Sequence, residues 1–538
     1  MSRIAVVLLF SLACRSNNRE PVDDPPQKSD RPATPIALPH GMTIETDPRF
    51  ELISIVMRLS GAPEYLGSKT PYAREVDTQF AAFADHPAIQ KTRALRRSNG
   101  IGYDAPMLLA AQLDASFALR TGGAIELAQI DKRWAGVDVA GYVELLREFR
   151  DASKFTAFYD GQSGYRALVQ QALAKVVDAA KPVPWFEAMF GPGKARFQVV
   201  PGLLNGTRNF GVRATAPDGT SERYQVLGIS RPDGMPATDD DTVALLVHEM
   251  AHSYINPLFG EHRGELERAG TQIYALVEQR MQKQNYGDWA TTLNEAGVRA
   301  ITVLFMLERR GSEIGARAAR SELRSGFVWT NELVDALRKR DRTKPLAAAM
   351  PKIVAFFDAL AAQYAKTGLP AVPFLGPVDA VFVDPTFVAP PGSGPLATYA
   401  QRIHDQLFPK MPLAVTSDHV LGELPGRNLV TYGSPATNPL VVNMLAHAQI
   451  QVAKDLVVVG TKRFTGPGLV LVFARFRHDD PAHGVAVYAA AADADLVGVN
   501  GLSHGQHDWL VGRKTGAGYE LLETGDFPRA ADGAWMLP

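Results

Sequence analysis

The sequence predicts an α+β protein: a mostly helical first domain with a small antiparallel sheet ahead of its central helix, then a smaller three-layer α/β domain. Three observations lead there. Apolar residues recur at three-and-four spacing through most of residues 42–198 and again to about 364. Between them, residues 195–229 switch to short alternating or apolar runs separated by Pro201-Gly202, Asn205-Gly206 and Pro217-Asp218-Gly219. After Gly368-Leu369-Pro370 the pattern alternates strand-like and helix-like segments, which points to a mainly parallel sheet. Length (538 residues), 46% hydrophobic and 21% charged residues suit a chain with large buried cores. A formal net charge of −1 gives no global field for nucleic acid or an anionic membrane.

In chain order, Ile4 to Ala13 is a ten-residue apolar stretch after Met1-Ser2-Arg3. It is too short to span a bilayer, which takes about 20 residues, but it suits a signal peptide. Cys14, the only cysteine, follows at once, and residues 1–14 resemble a bacterial lipoprotein signal. Leu12 stands one place closer to the cysteine than in the usual pattern, so an ordinary signal peptide cut near Ala13, or a buried first helix, is the alternative. The mature chain has no further cysteine for a disulfide, and any membrane association would run through a lipid on Cys14. Residues 15–40 are rich in proline, charge and small polar side chains and predict a disordered linker.

The first domain is expected over 41–370, with helices at Phe50–Leu59, Val76–Phe83, Met107–Ala118, Val139–Phe149 and Gly164–Ala180. Gly100 to Ala105 fits GxGxxA but follows a polar basic segment instead of a strand, which argues against dinucleotide binding. Strands are expected at Ala195–Val200, Asn209–Ala214 and Glu222–Ile229.

The centre of the chain is the stretch from Asp241 to Pro257, DTVALLVHEMAHSYINP. Asp239 to Asp241 supply capping oxygens for a helix start, and Pro257 predicts a stop at Asn256. His248 and His252, four apart, share one helix face and can reach one zinc ion, while Glu249 can deprotonate a water. A buried helix with two incidentally satisfied histidines is the alternative. A catalytic zinc takes a third protein ligand. His262 does not fit HExxHxxGxxH, because Ile255 and Leu258 occupy the glycine and third-histidine places. Glu295 fits better, on a helix from Trp289 to Leu307 reached through a connecting helix (Leu266 to Gln282) and a turn near Asn285-Tyr286-Gly287. Arg299, one turn later, either pairs with Glu295 at the surface or orients it. Tyr254, His262 and Tyr286 are candidate oxyanion donors.

HEMAHSYINP followed by YGDW, NEAGVRA, Gly326-Phe327 and Met350-Pro351 resembles a bacterial family of unknown function. Its members carry HExxHS[FY]xNP and NExxxRA and are regarded as gluzincin-type zinc metallopeptidases. RFELISIVMRLSGAPEY and YDAPM resemble its N-terminal part, and the likeness spans roughly residues 42 to 370. The resemblance implies a zincin-like fold, His248, His252 and Glu295 as zinc ligands, Glu249 as base, and a peptide or protein substrate. The expected function is thus zinc-dependent peptide hydrolysis by an exported protein. The alternative is an exported binding protein that keeps the zinc-site fold without turnover, with ligand binding carried by the C-terminal domain.

The accessory α/β domain is expected over 371–538, with strands at Val378–Val383, Arg427–Tyr432, Leu456–Val459, Leu469–Phe473 and Val485–Ala490. Helices are expected at Leu396–Leu407 and Pro439–Leu445. Gly433 to Asn438 (GSPATN) could receive an anion at a helix start, but it lacks a Walker lysine, and the chain has no GxSxG elbow there. His504, His507 and Asp508 (HGQHD) read as solvent-facing more than as a second metal cluster.

Overall fold

The computed structural model describes residues 33–528, apart from 194, 371–373, 375, 383–384, 410, 416–425, 503, 505–506 and 517. The signal segment 1–14, Cys14 and most of the expected linker lie outside the described residues. The architecture is α+β, as the patterning predicts.

One sheet organises the first domain. Its strands are β1 (Ile36–Leu38), β2 (Met42–Ile44), β3 (Arg196–Gly202), β4 (Phe210–Thr215) and β5 (Ser221–Gly228), in the order β1-β2-β3-β5-β4. The three expected strands are present, but the sheet is mixed. β2, β3 and β5 run parallel, and only the β1–β2 and β4–β5 pairs are antiparallel. The first two strands come from residues just before the first helix, and β1 falls inside the segment expected as linker. Three-residue strands give no readable alternation, which is why patterning missed them.

The sheet separates two apolar cores. Val200, Phe210, Val212, Tyr224 and Val226 face the first, shared with helices Pro48–Leu59, Ala105–Ala111 and Val139–Ala152. Phe197, Val199 and Leu227 face the second, shared with helices Ser163–Ala180, Pro182–Phe190, Asp240–Glu261, Arg263–Lys283, Trp289–Arg309 and Met350–Thr367. The helix expected to reach Ala118 ends at Ala111. There Asp114 Oδ1 accepts from the N–H groups of Ser116 and Ala118, a local bonding pattern that competes with helix continuation.

The motif helix, Asp240–Glu261, starts where the sequence says: Asp239 is extended and its side chain accepts from Thr242 N at 3.0 Å. It does not stop at Asn256. Pro257 lies inside it, and the lost bond to the carbonyl of Ser253 is replaced by Arg223 Nη1 at 3.0 Å. Val243, Leu246, Val247, Met250, Ala251, Ile255, Leu258 and Phe259 form its buried stripe. Each large side chain there contributes about 1.5–3 kcal/mol by leaving water. Only His262 separates this helix from Arg263–Lys283, so the connecting helix expected from Leu266 starts three residues earlier and the two helices meet at a continuous corner.

The C-terminal part holds β6 (Pro385–Ala389), β7 (Leu413–Val415), β8 (Asn428–Gly433), β9 (Ile450–Ala453), β10 (Leu456–Val459), β11 (Lys462–Thr465), β12 (Leu469–Phe476), β13 (Gly484–Ala490), β14 (Trp509–Thr515) and β15 (Gly518–Gly525). Seven of them form one sheet in the order β15-β14-β12-β13-β8-β6-β7, while β9 to β11 form a small meander. The large sheet is mixed, not mainly parallel: β13, β8, β6 and β7 are parallel neighbours, and β13, β12, β14 and β15 are antiparallel. Val378–Val381 is a short helix where a strand was expected, and the strand begins at Pro385. Helix Pro395–Leu407 covers one face of the sheet, and helix Pro439–His447 with the meander covers the other.

Candidate metal centre

Two helices bring the candidate ligands together. His248 and His252 stand one turn apart on the motif helix, with ring centroids 4.9 Å apart and planes at 82°. Glu295 comes from the second turn of the Trp289–Arg309 helix, which Asp288 caps by accepting from Thr291 N at 2.9 Å. The two helices pack closely because residue 297 is glycine. A Cβ there would lie 2.8 Å from Ile255 Cγ2 and 2.9 Å from Phe259 Cζ. That approach sets Glu295 Oε1 at 3.3 Å from His252 Nε2, and Oε2 at 3.8 Å from His248 Nε2. One ligand atom from each of the three residues lies within 4.8 Å of the others. Two imidazole nitrogens and one carboxylate oxygen at such spacing fit a divalent transition metal with one position left open. Among the described residues no other group of histidine, cysteine and carboxylate side chains has this geometry.

The surroundings favour the ligating forms. Burial pushes the His248 imidazole down to about 3, against the pull of Glu295, so it is neutral with a lone pair at pH 7. His252 Nδ1 lies 3.4 Å from Asn256 Oδ1, which leaves Nε2 to face Glu295. Burial acts to raise the Glu295 carboxyl, but the histidines, Arg299 and Tyr286 outweigh it and hold it below its ordinary value. With His248 neutral, the permanent cation among them is Arg299. Its Nε lies 3.2 Å from Glu295 Oε2, and the Tyr286 hydroxyl donates to the same oxygen at 3.2 Å. Arg299 also donates to Tyr286 Oη at 3.0 Å, pairs with Glu322 and lies over the Phe327 ring at 4.6 Å. Arg299 therefore orients Glu295 and is not a surface partner: its side chain is 13% exposed.

Glu249 turns the other way, towards the sheet. Gly211 on β4 lies against it, with a Cβ there only 3.0 Å from Glu249 Oε2. Burial raises the Glu249 carboxyl above its ordinary value and Glu295 and Asp104 add to this, while His252 and the Gly211 backbone N–H work against it. A carboxyl raised in this way is a better proton acceptor than an ordinary surface carboxylate.

Of the three candidate oxyanion donors, His262 and Tyr286 are hydrogen-bonded elsewhere, and Tyr254 is held by its ring. Tyr254 stacks on Phe186 and Phe190 at 5.1 and 4.6 Å under the Arg223 guanidinium. His262 Nδ1 lies 3.0 Å from Glu265 Oε1 at the helical corner. Tyr286 is bonded to Glu295 and Arg299. In the C-terminal part, His504 bonds Asp379 and Tyr488 through its two nitrogens, at 3.0 and 2.7 Å, so it belongs to a structural network. His507 lies 3.8 Å from Asp526, and Asp508 Oδ2 accepts from Phe527 N at 2.9 Å. The GSPATN turn holds no anion-receptive amide at Ser434. The Asp493 carboxylate already accepts from Ser434 N at 2.9 Å and from Thr437 Oγ1 at 2.8 Å, while Asn438 caps the helix.

Residues 42–356 match the model of a domain of unknown function, DUF4932. The chain belongs to this family. The DUF4932 region contains both helices of the centre, strands β2 to β5 of the sheet and Arg299, and it ends within the Met350–Thr367 helix. No curated protein and no solved structure matches the chain. Sequence reasoning missed three contributors to the centre. Asn256 was legible in principle, one turn after His252. Gly211 and Glu322 carry no local signal, because only folding brings them near.

Proposed function

We propose that this protein is an exported zinc-dependent metallopeptidase. The observation that carries the reading is the His248–His252–Glu295 cluster with Glu249 beside it, set next to β4, the terminal strand of the sheet. Zinc is the metal the donor set suits best: two neutral nitrogens, one carboxylate, no thiolate and one open position. The three residues would hold the ion, which when bound acidifies a water and polarises the scissile carbonyl. Glu249 accepts the proton of the attacking water and passes it to the leaving amine. Arg299 and Tyr286 keep the Glu295 carboxylate in one orientation during this cycle. The backbone of β4 supplies main-chain hydrogen bonds to an extended substrate. Export, and anchoring through Cys14, rest on the apolar Ile4–Ala13 stretch and the cysteine that follows it.

The test compares purified protein with its Glu249→Gln variant for zinc content and for cleavage of an unfolded protein, with and without chelator. The reading expects about one zinc per chain in both, and chelator-sensitive cleavage by the unsubstituted protein alone. Zinc retained with no cleavage of any unfolded substrate would turn the reading to an exported binding protein. No zinc at all would sink it.

A further inference from the structure

β4 is the terminal strand of the sheet, and its residues alternate between two faces. Phe210, Val212 and Ala214 are buried in the first core, whereas Gly211, Arg213 and Thr215 are exposed on the opposite side. Gly211 is the residue that touches Glu249, so Arg213 projects from the same face about 7 Å further along the strand. The backbone N–H of Gly211 faces Glu249, and that of Thr215 donates to Glu126 Oε2 at 3.4 Å. The outward-facing main-chain rung left between them is that of Arg213.

Glu126 sits at the Thr215 end of this rim, but no carboxylate lies within ion-pair distance of its arginines among the described residues. Arg213 stands directly across from Arg223 on β5, a like-charged pair that works against sheet stability. Burial together with Arg213 depresses the Arg223 guanidinium. Among the described residues neither arginine has a carboxylate partner. Arg208, just before β4, likewise has none and lies 5.9 Å from the Tyr103 ring. The acid on the opposite wall, Asp104, is taken up by Arg133 at 2.7 Å. Thus two unpaired cations flank Gly211 along the chain, three residues before it and two after it. Tyr103 itself is held at φ 55, fixed by Glu64 at its N–H and by Tyr65 at its carbonyl. A non-glycine residue held in that region is characteristic of sites that must keep one shape.

We infer that this rim selects acidic peptide segments, with Arg213 as the specificity-determining residue and Arg208 as a second contact. An extended chain laid along β4 would place a glutamate or aspartate near Arg213, about two residues from the bond facing Glu249. The substrate's carboxylate would then relieve the Arg213–Arg223 repulsion that the free protein carries. This deepens the peptidase reading and rests on it for the bond-breaking step, but the charge preference can be read by binding alone.

The experiment uses two variants of the full chain, Glu249→Gln and Glu249→Gln with Arg213→Glu, loaded with zinc. Binding is measured for fluorescent decapeptides of one sequence carrying Glu, Gln or Lys at each position around a central alanine pair. At one position or more, the first variant should bind the Glu peptide about threefold tighter than the Gln peptide and roughly tenfold tighter than the Lys peptide. The added Arg213→Glu change should reverse that order, with zinc content unchanged and a melting temperature no lower, since a glutamate opposite Arg223 removes the like-charged pair. Equal binding of all three peptides, or an acidic preference that survives Arg213→Glu, would overturn the inference. Cleavage of the same peptides by the unsubstituted protein separates the two proposals. Acid-selective binding without cleavage removes the peptidase reading and keeps the rim, whereas cleavage with no charge preference does the reverse.

Discussion

The guanidinium of Arg223 donates to the carbonyl oxygen of Ser253 at 3.0 Å, the carbonyl that Pro257 leaves without its helical N–H. An arginine from the sheet thereby repairs the helix that carries both histidines. Arg223→Ala should lower stability by about 1–3 kcal/mol, the cost of a buried acceptor left unmet. In a Pro257→Ala background residue 257 regains an N–H for Ser253, so the same change should cost clearly less. Denaturant unfolding of the four proteins in the cycle measures the coupling; additive effects would refute the repair.

Arg299 is the hinge between the metal centre and the surrounding helices. Arg299→Ala leaves Glu322 as a buried carboxylate without its guanidinium and frees Glu295 to rotate. Zinc affinity should fall about 10- to 100-fold, with a stability loss of roughly 3–5 kcal/mol. Competition with a chromophoric chelator gives the first quantity and thermal unfolding in chelator the second. Unchanged affinity would mean that Glu295 is held without Arg299.

Gly297 sets the separation of the two ligand-bearing helices. Gly297→Ala adds up to about 1 kcal/mol of helix propensity but presses a methyl group into Ile255 and Phe259. The helices must shift by several tenths of an ångström, so zinc should bind more weakly even where overall stability changes little. An alanine variant with full zinc affinity would show that the side-chain ends of Ile255 and Phe259 absorb the methyl group.

Glu51 gives a pH dependence apart from the metal. Burial lifts its carboxyl from 4.5 to about 7, although Tyr72 donates to it at 2.7 Å and Arg166 is near. Between these values the folded chain keeps a proton that the unfolded chain has released. Stability therefore declines as pH rises from about 4.5 to 7 and levels off above, by on the order of 3 kcal/mol for this group. Glu51→Gln keeps an acceptor for Tyr72 and should flatten the decline. Glu45, also lifted to about 7, keeps the slope from vanishing. Equal slopes for the two proteins from pH 5 to 7 would exclude Glu51 as the source.

Zinc removal provides the last expectation. Because the unfolded chain has no preformed site, zinc at 100 times its Kd should add about 2.7 kcal/mol and raise the melting temperature. His252→Ala should abolish that increment; a shift that persists in the variant would place the ion elsewhere.

What the chain determines by itself is whatever depends on neighbours a few residues away. The Asp239 cap, the buried stripe from Val243, the shared face of His248 and His252, and the Trp289–Arg309 helix all follow from local periodicity and capping. So did Glu295, since it lies on a legible helix at a workable distance along the chain. Tertiary structure decided the rest. Pro257 should have ended the motif helix by local rules, yet the helix continues, and Arg223, on a strand 30 residues before Ser253, takes up the carbonyl that the proline leaves. The parallel pairing of β2, β3 and β5 could not be read, because strand direction depends on which segments meet and not on how each alternates. Tyr286 looked like a donor for the reaction until the fold turned its hydroxyl to Glu295. Hydrogen bonds and ion pairs act over a few ångströms of space, and sequence reports such distances only within one helix or strand.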